Sequence, residues 1–282
     1  MTKKVDEPSI DQKFALITGY GPFKSFKVNP SYESVRNLQA RVFPGLGLDN
    51  NEGHQQNEVL VHVMEIPVEY HRVHAIAPTF FNAASSPRFV LHVGASGQLK
   101  PAHMVFETRA RNGPYMSKDV VGDLPEGNQC FPPEGLGNVG EHTVEEELRV
   151  CPKLLAQVVE RVQQELDSLG DTPNTPSKSS SEVPTESEEI AKKNDTGDVP
   201  DVEQTFEVSK GLWKVGTSTN AGLYLCEYIF YHGMHWAKRR WEVAPPVFFL
   251  HVPSVDVEKG HRPQEELNRA IELVVKALCA VC

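Results

Sequence analysis

The sequence predicts an α/β protein with a single domain, in which helices cover both faces of a mainly parallel mixed sheet to give a three-layer α/β/α sandwich. Two observations carry this prediction. Short apolar stretches of strand length alternate with longer amphipathic stretches of helix length along the chain. The strand-like stretches are apolar almost throughout, which is typical of strands buried on both faces of a parallel sheet.

The predicted elements follow one another in alternation, and Gly and Pro residues mark most of their ends. The predicted strands cover residues 14–18, 59–66, 89–93, 104–110, 213–218 and 247–252. The predicted helices cover residues 31–42, a segment after residue 68, part of 144–169, 221–237 and 263–281. Within 144–169, Pro152 is expected to break or to start the helix, because proline has no N–H to donate inside one.

Two segments are expected to lie outside the ordered fold. Residues 1–12 form a polar N-terminal tail, and residues 13–282 form the domain, interrupted by an acidic insertion at about 170–205. The insertion is rich in Ser, Thr, Pro, Glu, Asp and Lys, so it cannot bury enough apolar surface to offset its chain entropy. We therefore expect it to be disordered, and we place it inside one domain because ordered patterns resume after it.

Composition argues against several classes of function. The net charge is −10, so a role in binding nucleic acid has no electrostatic support. No apolar run approaches the roughly 18 residues that a membrane span needs, and the N-terminus lacks the apolar region of a secretory signal. The five cysteines are odd in number and scattered, which argues against a disulfide framework and favours a reducing, cytosolic location.

Three residues that can carry chemistry lie at or beyond the ends of predicted strands, where function is expected in a parallel sheet. Cys226 follows a strand and a turn of small residues, so it lies in the first turns of a helix, whose positive dipole end favours a thiolate. The free N–H groups of the same helix start are suited to hold an oxyanion. His251 closes the apolar strand at 247–252, and Glu107 lies in the strand at 104–110.

Each of these residues also has a structural explanation when it is considered alone. A cysteine in an apolar helix is most often a small core residue, and a glutamate in a strand most often faces solvent. His92 lies inside an apolar strand and is interpreted as a core residue. His232 and His235 share a helix but lack the glutamate of an HExxH motif, so no metal site is predicted.

Six sequence motifs are distributed in order along nearly the whole chain. They are Thr-Gly-Tyr-Gly-Pro-Phe at 18–23 followed by Val-Asn-Pro-Ser at 28–31, Glu-Ile-Pro-Val at 65–68, His-Val-Gly at 92–94 followed by Phe-Glu-Thr-Arg-Ala-Arg-Asn at 106–112, the segment 123–129, Ala-Gly-Leu-Tyr-Leu-Cys at 221–226 and His-Val-Pro at 251–253. Together they resemble the motifs of the pyroglutamyl-peptidase I family, also called pyrrolidone carboxyl peptidases.

The resemblance implies a cysteine peptidase with a Glu–Cys–His triad that acts on peptides with an N-terminal pyroglutamate. It assigns Cys226 as the nucleophile, His251 as the base and Glu107 as the group that orients the imidazole, and it implies no cofactor and no metal. His251 would help to keep Cys226 ionised, and the thiolate would attack the amide that follows the pyroglutamyl residue. Water would then hydrolyse the acyl-enzyme.

The implied substrate has no free amino group, so its recognition needs an apolar slot for a flat lactam ring. In the family two aromatic residues of the first motif form this slot, and they correspond here to Tyr20 and Phe23. Tyr20 stands where the family has phenylalanine. An arginine that bacterial members carry after the glutamate is absent, and Lys118 is the candidate to supply its charge.

These departures leave two alternatives to a pyroglutamyl peptidase. One is a related Cys–His amidase or peptidase with a different substrate preference. The other is a non-catalytic relative that acts as a binding protein and recruits partners through the acidic insertion, although the retained triad argues against it. The sequence indicates neither an oligomeric state nor a physiological peptide.

Overall fold

The computed structural model describes residues 13–23, 27–45, 58–82, 85–131, 144–171, 204–206, 212–255, 257 and 260–282. The predicted tail at 1–12 and residues 172–203 of the predicted insertion lie outside the described residues. The strands are β1 Lys13–Tyr20, β2 Val42–Pro44, β3 Glu58–Ile66, β4 Val90–Ser96, β5 His103–Glu107, β6 Arg109–Arg111, β7 Glu147–Arg149, β8 Gln204–Phe206, β9 Lys214–Ser218 and β10 Val247–Pro253. The α-helices are α1 Pro30–Val35, α2 Tyr70–Ile76, α3 Pro152–Asp167, α4 Leu225–Arg240 and α5 Gln264–Val281.

One mixed sheet organises the described part of the chain, with the strand order β2-β3-β1-β4-β10-β5-β9-β8. β3, β1, β4 and β10 are parallel to one another, and β5 is parallel to β9. β10 pairs with β5 antiparallel, as do the edge strands β2 and β8 with their neighbours. β6 and β7 form a separate antiparallel pair. The predicted mainly parallel mixed sheet is therefore confirmed.

Helices cover both faces of this sheet. α1, α3 and α5 pack together on one face, and α2 and α4 pack together on the other. The two central strands β4 and β10 are buried along most of their length because both of their faces are covered. None of the described helices has the length and apolarity that crossing a membrane requires. The predicted three-layer architecture is confirmed.

Two predicted boundaries in the first half of the chain are wrong. The helix predicted at 31–42 ends at Val35 and continues only as a short 3-10 turn, because Ala40 adopts a φ of 62° and Val42–Pro44 pairs with β3 as an edge strand. The strand predicted at 104–110 breaks at Thr108, where the chain leaves the large sheet to pair with β7.

Two boundaries in the second half of the chain concern helix starts. Pro152 starts α3 instead of breaking it, since the first helical position needs no N–H donor inside the helix. The helix predicted from residue 221 begins only at Leu225, because Gly222 and Leu223 adopt positive φ angles of 95° and 44°. Because the helix starts later than predicted, Cys226 is its second residue.

Candidate active site

Cys226 lies at the start of α4, in the position that the sequence predicts for it. The turn at 219–224 carries the chain from β9 to the helix, and Cys226 is the second helical residue. The backbone N–H groups of Leu225, Cys226 and Glu227 donate to no acceptor within the described residues, as expected for the first turn of a helix. The sulfur therefore lies at the positive end of the helix dipole.

His251 and Glu107 meet across two adjacent strands. His251 lies in β10 opposite Val105 of β5, so its side chain shares a face of the sheet with Glu107, which is two residues further along β5. The Nδ1 atom of His251 lies 2.7 Å from Oε1 of Glu107, and both side chains are buried. Because β5 runs antiparallel to β10, this contact is made across the sheet face instead of at a shared carboxyl edge.

Cys226 completes the group, since its thiol lies close enough to the His251 ring to raise the pKa of that ring. Gly94 in β4 makes room for the sulfur. A Cβ atom at this position would lie 3.0 Å from the Cys226 Sγ and 2.6 Å from the Phe249 ring. A glycine is therefore required where the backbone of β4 passes beneath the thiol.

The charge state of His251 follows from its two partners. Burial lowers the pKa of His251, but the hydrogen bonds to Cys226 and Glu107, and the charges of both groups, outweigh burial and raise the pKa to about 10. The imidazolium form is thus populated at neutral pH. An imidazolium next to a cysteine favours the thiolate, which is the nucleophilic form of the side chain.

Aromatic side chains form a wall beside Cys226. Tyr20 is buried and its hydroxyl donates a hydrogen bond to the carbonyl oxygen of Leu225, while Phe23 packs on Tyr224 with ring centroids 5.7 Å apart. Tyr70 adds a fourth ring, 5.9 Å from Tyr224. Burial raises the pKa of Tyr20 and of Tyr70, and the nearby Cys226 adds to both shifts, so both hydroxyl groups lie near the sulfur.

Lys118, the candidate to supply the charge of the absent arginine, contacts no charged group among the residues that the structure describes. Lys118 is exposed and makes no hydrogen bond or ion pair with any residue that the structure describes, so its role in substrate binding stays a prediction. A different cation pairs with the residue that follows Cys226: Arg111 lies 2.6 Å from Glu227. Sequence reasoning missed this pair, because 116 residues separate its members.

Three other cysteines lie in surroundings that disfavour a thiolate. Cys130 is buried, and burial raises the pKa of its thiol. Cys279 and Cys282 lie three residues apart at the end of α5, and burial raises the pKa of each to about 12 although Arg88 opposes the shift. Within the described residues, no group of three or more His, Cys, Asp or Glu side chains is arranged to hold a metal ion.

A thiol at a helix start, an imidazole beside it and a buried carboxylate hydrogen-bonded to the imidazole form the arrangement used by cysteine-dependent hydrolases. The arrangement supplies a nucleophile, a proton carrier and a group that orients the proton carrier. Comparisons with known proteins make this class more specific.

No protein-family model matches the chain. Pyroglutamyl-peptidase 1 of Rattus norvegicus is 34% identical over 124 residues, which cover 44% of this chain and 52% of that protein, and the Homo sapiens protein gives the same values. Pyrrolidone-carboxylate peptidase of Deinococcus radiodurans is 34% identical over 73 residues, which cover 22% of this chain and 34% of that protein. The chain thus spans about half the length of the pyroglutamyl-peptidase 1 relatives that it matches.

Solved structures extend the similarity to the whole fold. Pyroglutamyl peptidase I from Bacillus amyloliquefaciens superposes with a TM-score of 0.60 over 95% of both chains, at 15% identity. Pyrrolidone carboxyl peptidase from Thermococcus litoralis gives a TM-score of 0.59 over 94% of this chain and 92% of that chain, at 18% identity. The resemblance predicted from the motifs is confirmed: the chain is similar to pyroglutamyl peptidases in sequence and has their fold.

Proposed function

We propose that this protein is a cysteine peptidase that removes the N-terminal pyroglutamyl residue from peptides. The observation that carries the proposal is the group formed by Cys226, His251 and Glu107, in which Glu107 is hydrogen-bonded to the His251 ring and Cys226 lies beside that ring and raises its pKa. The similarity to pyroglutamyl peptidases supports the choice of substrate.

The geometry supports a two-step mechanism. The Cys226 thiolate attacks the carbonyl carbon of the pyroglutamyl residue, and the N–H groups at the start of α4 receive the oxyanion that forms. The His251 imidazolium gives its proton to the leaving amine nitrogen as the C–N bond breaks. His251, held by Glu107, then takes a proton from water as the water attacks the thioester; the C–S bond breaks, pyroglutamate leaves, and the Cys226 thiolate and the His251 imidazolium are restored.

The aromatic wall suits the substrate. A pyroglutamyl residue is a flat, uncharged lactam, which an apolar surface binds better than a charged one does. We propose that Phe23 and Tyr20, with Tyr224 and Tyr70 behind them, hold this ring beside the sulfur. The Tyr20 hydroxyl is already bonded to the Leu225 carbonyl, so it presents its ring to the substrate rather than a free hydroxyl.

We also propose a cytosolic location. All five cysteines are free, and the mechanism needs a reduced Cys226. Reducing compartments keep such thiols free. Immunofluorescence together with fractionation would test this location, and recovery of the protein in secreted material alone would contradict it.

Release of aminomethylcoumarin from pyroglutamyl-, prolyl- and alanyl-aminomethylcoumarin tests the function. The reduced wild-type protein is expected to cleave the pyroglutamyl substrate alone, and Cys226→Ala is expected to lower kcat by about 10,000-fold or more. Cys151→Ala, which removes an exposed thiol, is the matched control and should retain full activity.

The three substrates separate the alternatives. Cleavage of the prolyl or alanyl compound in preference to the pyroglutamyl compound would indicate the related amidase with another specificity. An absence of cleavage by reduced, folded protein would exclude the peptidase, and activity that survives in Cys226→Ala would exclude the mechanism.

A further inference from the structure

The residue that follows the nucleophile carries a fully buried charge. Glu227 is 0% exposed, and its carboxylate forms a two-pronged ion pair with Arg111, with Nε–Oε1 and Nη2–Oε2 distances of 2.6 and 2.8 Å. Glu227 Oε1 also accepts the backbone N–H of Arg111 at 2.9 Å. A buried ion pair is weak grounds for extra stability, because desolvation offsets most of its attraction. Its location therefore needs another explanation.

The same pair holds the turn that leads into the nucleophile. Glu227 Oε2 accepts the backbone N–H of Leu223 at 2.8 Å, and Arg111 Nη2 donates to the Asn220 side chain at 2.8 Å. The Asn220 side-chain oxygen in turn accepts the N–H of Gly222 at 3.2 Å. One network thus connects β6, the turn at 219–224 and the first turn of α4.

The turn needs to be held, because its backbone is strained. Gly222 and Leu223 have φ angles of 95° and 44°. For a residue with a side chain, such as Leu223, the left-handed region is unfavourable and persists only where surrounding contacts impose it. The residues that follow at once are Tyr224, Leu225 and Cys226, so relaxation of this turn would displace the sulfur and the N–H groups beside it.

The pair also balances charge next to the sulfur. An uncompensated carboxylate one residue from Cys226 would disfavour the thiolate, whereas a carboxylate paired with a guanidinium has little net effect. The titratable side chains that interact with Cys226 include His251 on β10, Tyr20 on β1, Tyr70 on α2 and Tyr224 at the helix start.

We propose that the Arg111–Glu227 pair is a positioning device that fixes Cys226 and the N–H groups at the start of α4 against His251, and keeps the surroundings of the sulfur free of net negative charge. The inference rests on the proposed function, since it takes Cys226 as the nucleophile. Arg111 and Glu227 act through Cys226 and need not touch the substrate.

Two readouts on the full chain test the pair. The first is kcat and KM with pyroglutamyl-aminomethylcoumarin. The second is the rate of Cys226 alkylation by iodoacetamide as a function of pH, followed on the Cys226 peptide by mass spectrometry so that Cys151 does not contribute. The variants are Arg111→Met, Glu227→Gln, the double variant and Arg111→Lys. Glu165→Gln is the matched control, because Glu165 is also buried and paired, with Arg161 and Lys276, but lies on α3 away from the site.

Arg111→Met leaves the Glu227 charge unpaired, so the alkylation midpoint is expected to move to higher pH and the neutral-pH rate to fall about tenfold. The double variant should move the midpoint back towards the wild-type value. In Arg111→Met and Glu227→Gln, kcat should fall about 10- to 100-fold with little change in KM, because misplacement affects the reacting atoms. Arg111→Lys keeps the charge without the fork, so kcat should fall while the alkylation midpoint stays in place.

The outcomes separate positioning from ordinary stability. If Arg111→Met and Glu227→Gln lower the melting temperature as Glu165→Gln does, yet leave kcat and the alkylation profile unchanged, the proposal is wrong. If Arg111→Met does not fold, Arg111→Lys decides, and an unchanged kcat in that variant also overturns the proposal. Alkylation needs no substrate, so a wild-type protein that cleaves no pyroglutamyl compound would sink the proposed function while the alkylation profiles still test the pair.

Discussion

Two buried histidines on neighbouring central strands differ in charge state, because the pKa of one is lowered and the pKa of the other is raised. His92 on β4 and His251 on β10 are 0% and 8% exposed, and their side chains lie on the face of the sheet that α4 covers. Burial lowers the pKa of His92 to about 3, whereas the contacts with Cys226 and Glu107 raise the pKa of His251 to about 10 in spite of burial. Both residues are histidines that are buried in central strands, so the difference between their pKa values comes from the groups that each ring contacts.

The partners of His92 explain its neutral state. Its Nδ1 atom lies 2.8 Å from the Thr18 hydroxyl, and its Nε2 atom has no hydrogen-bond partner among the described residues. A hydroxyl cannot compensate the cost of burying a charge, whereas a carboxylate can. Burial without a charged partner therefore makes His92 a structural residue. His251, two positions further along in the register of β4 and β10, contacts a carboxylate and a thiol, which make it a candidate catalytic residue.

The largest expected effect separates the two histidines by activity. His251→Ala should lower kcat by about 1,000-fold or more, because it removes the proton carrier. His92→Asn keeps a polar atom near Thr18 and should leave kcat at the wild-type level, with a loss of about 1 to 3 kcal/mol in the free energy of unfolding for the lost packing. Steady-state kinetics and urea unfolding of the two variants measure both quantities. Equal loss of kcat in the two would remove the distinction between them.

The next effect uses two glycines, one next to the Cys226 sulfur and one next to the His92 ring. Gly94→Ala would bring a Cβ to 3.0 Å from the Cys226 sulfur, whereas Gly233→Ala would bring one to 2.6 Å from Nε2 of His92. We expect Gly94→Ala to lower kcat about 10- to 100-fold, since it displaces a reacting atom. Gly233→Ala should cost about 1 to 3 kcal/mol of stability through overpacking and leave kcat unchanged. A Gly94→Ala enzyme with wild-type kcat would show that the sulfur tolerates displacement.

A third prediction concerns the pH dependence of stability, which should have opposite signs for the two rings. The folded pKa of His251 lies above the ordinary value of 6.5, so its contribution is fully present below pH 6.5 and is lost as pH rises towards 10. The folded pKa of His92 lies below 6.5, so its contribution is present above pH 6.5 and is lost as pH falls towards 3. A difference of one between the folded and unfolded pKa of a group corresponds to about 1.4 kcal/mol of stability.

Urea unfolding from pH 4 to 10 measures these contributions as differences from the wild type. Glu107→Gln should lose stability relative to the wild type at neutral pH, and this difference should shrink as pH rises from 6.5 to 10. His92→Asn should reduce the loss of stability on the acid side, where the buried His232 also contributes because its pKa is lowered. Parallel curves for Glu107→Gln and the wild type would argue against a charged His251.

Much of the fold could be predicted from the sequence because the signals are local. Apolar strands such as residues 247–252 are buried on both sides and need no knowledge of their neighbours to be recognised. The position of Cys226 near a helix start follows from the small residues before it. The early end of α1 at Val35 could not be predicted, since it depends on the pairing of Val42–Pro44 with β3.

The site was only partly predictable, because its contacts join residues far apart in sequence. Glu107 and His251 are 144 residues apart, and reasoning from strand ends alone gave no contact between them. The family resemblance grouped Glu107 and His251 with Cys226, and the structure shows how these side chains are arranged. Arg111 and Glu227 carried no visible signal, because an arginine in a strand and a glutamate in a helix are ordinary surface residues until the fold buries them together.

The smallest expected effect concerns Tyr20, which stands where the family that the motifs resemble has phenylalanine. The Tyr20 hydroxyl donates to the Leu225 carbonyl at the helix start, so Tyr20→Phe removes one buried hydrogen bond and should cost about 1 kcal/mol of unfolding free energy. The ring that faces the proposed lactam site is kept, so KM for pyroglutamyl-aminomethylcoumarin should stay at the wild-type value. Tyr20→Ala, which removes the ring as well, should raise KM strongly. A raised KM in Tyr20→Phe would instead mean that the hydroxyl contacts the substrate, and the wall beside Cys226 would then owe its selectivity to a hydrogen bond as well as to its aromatic rings.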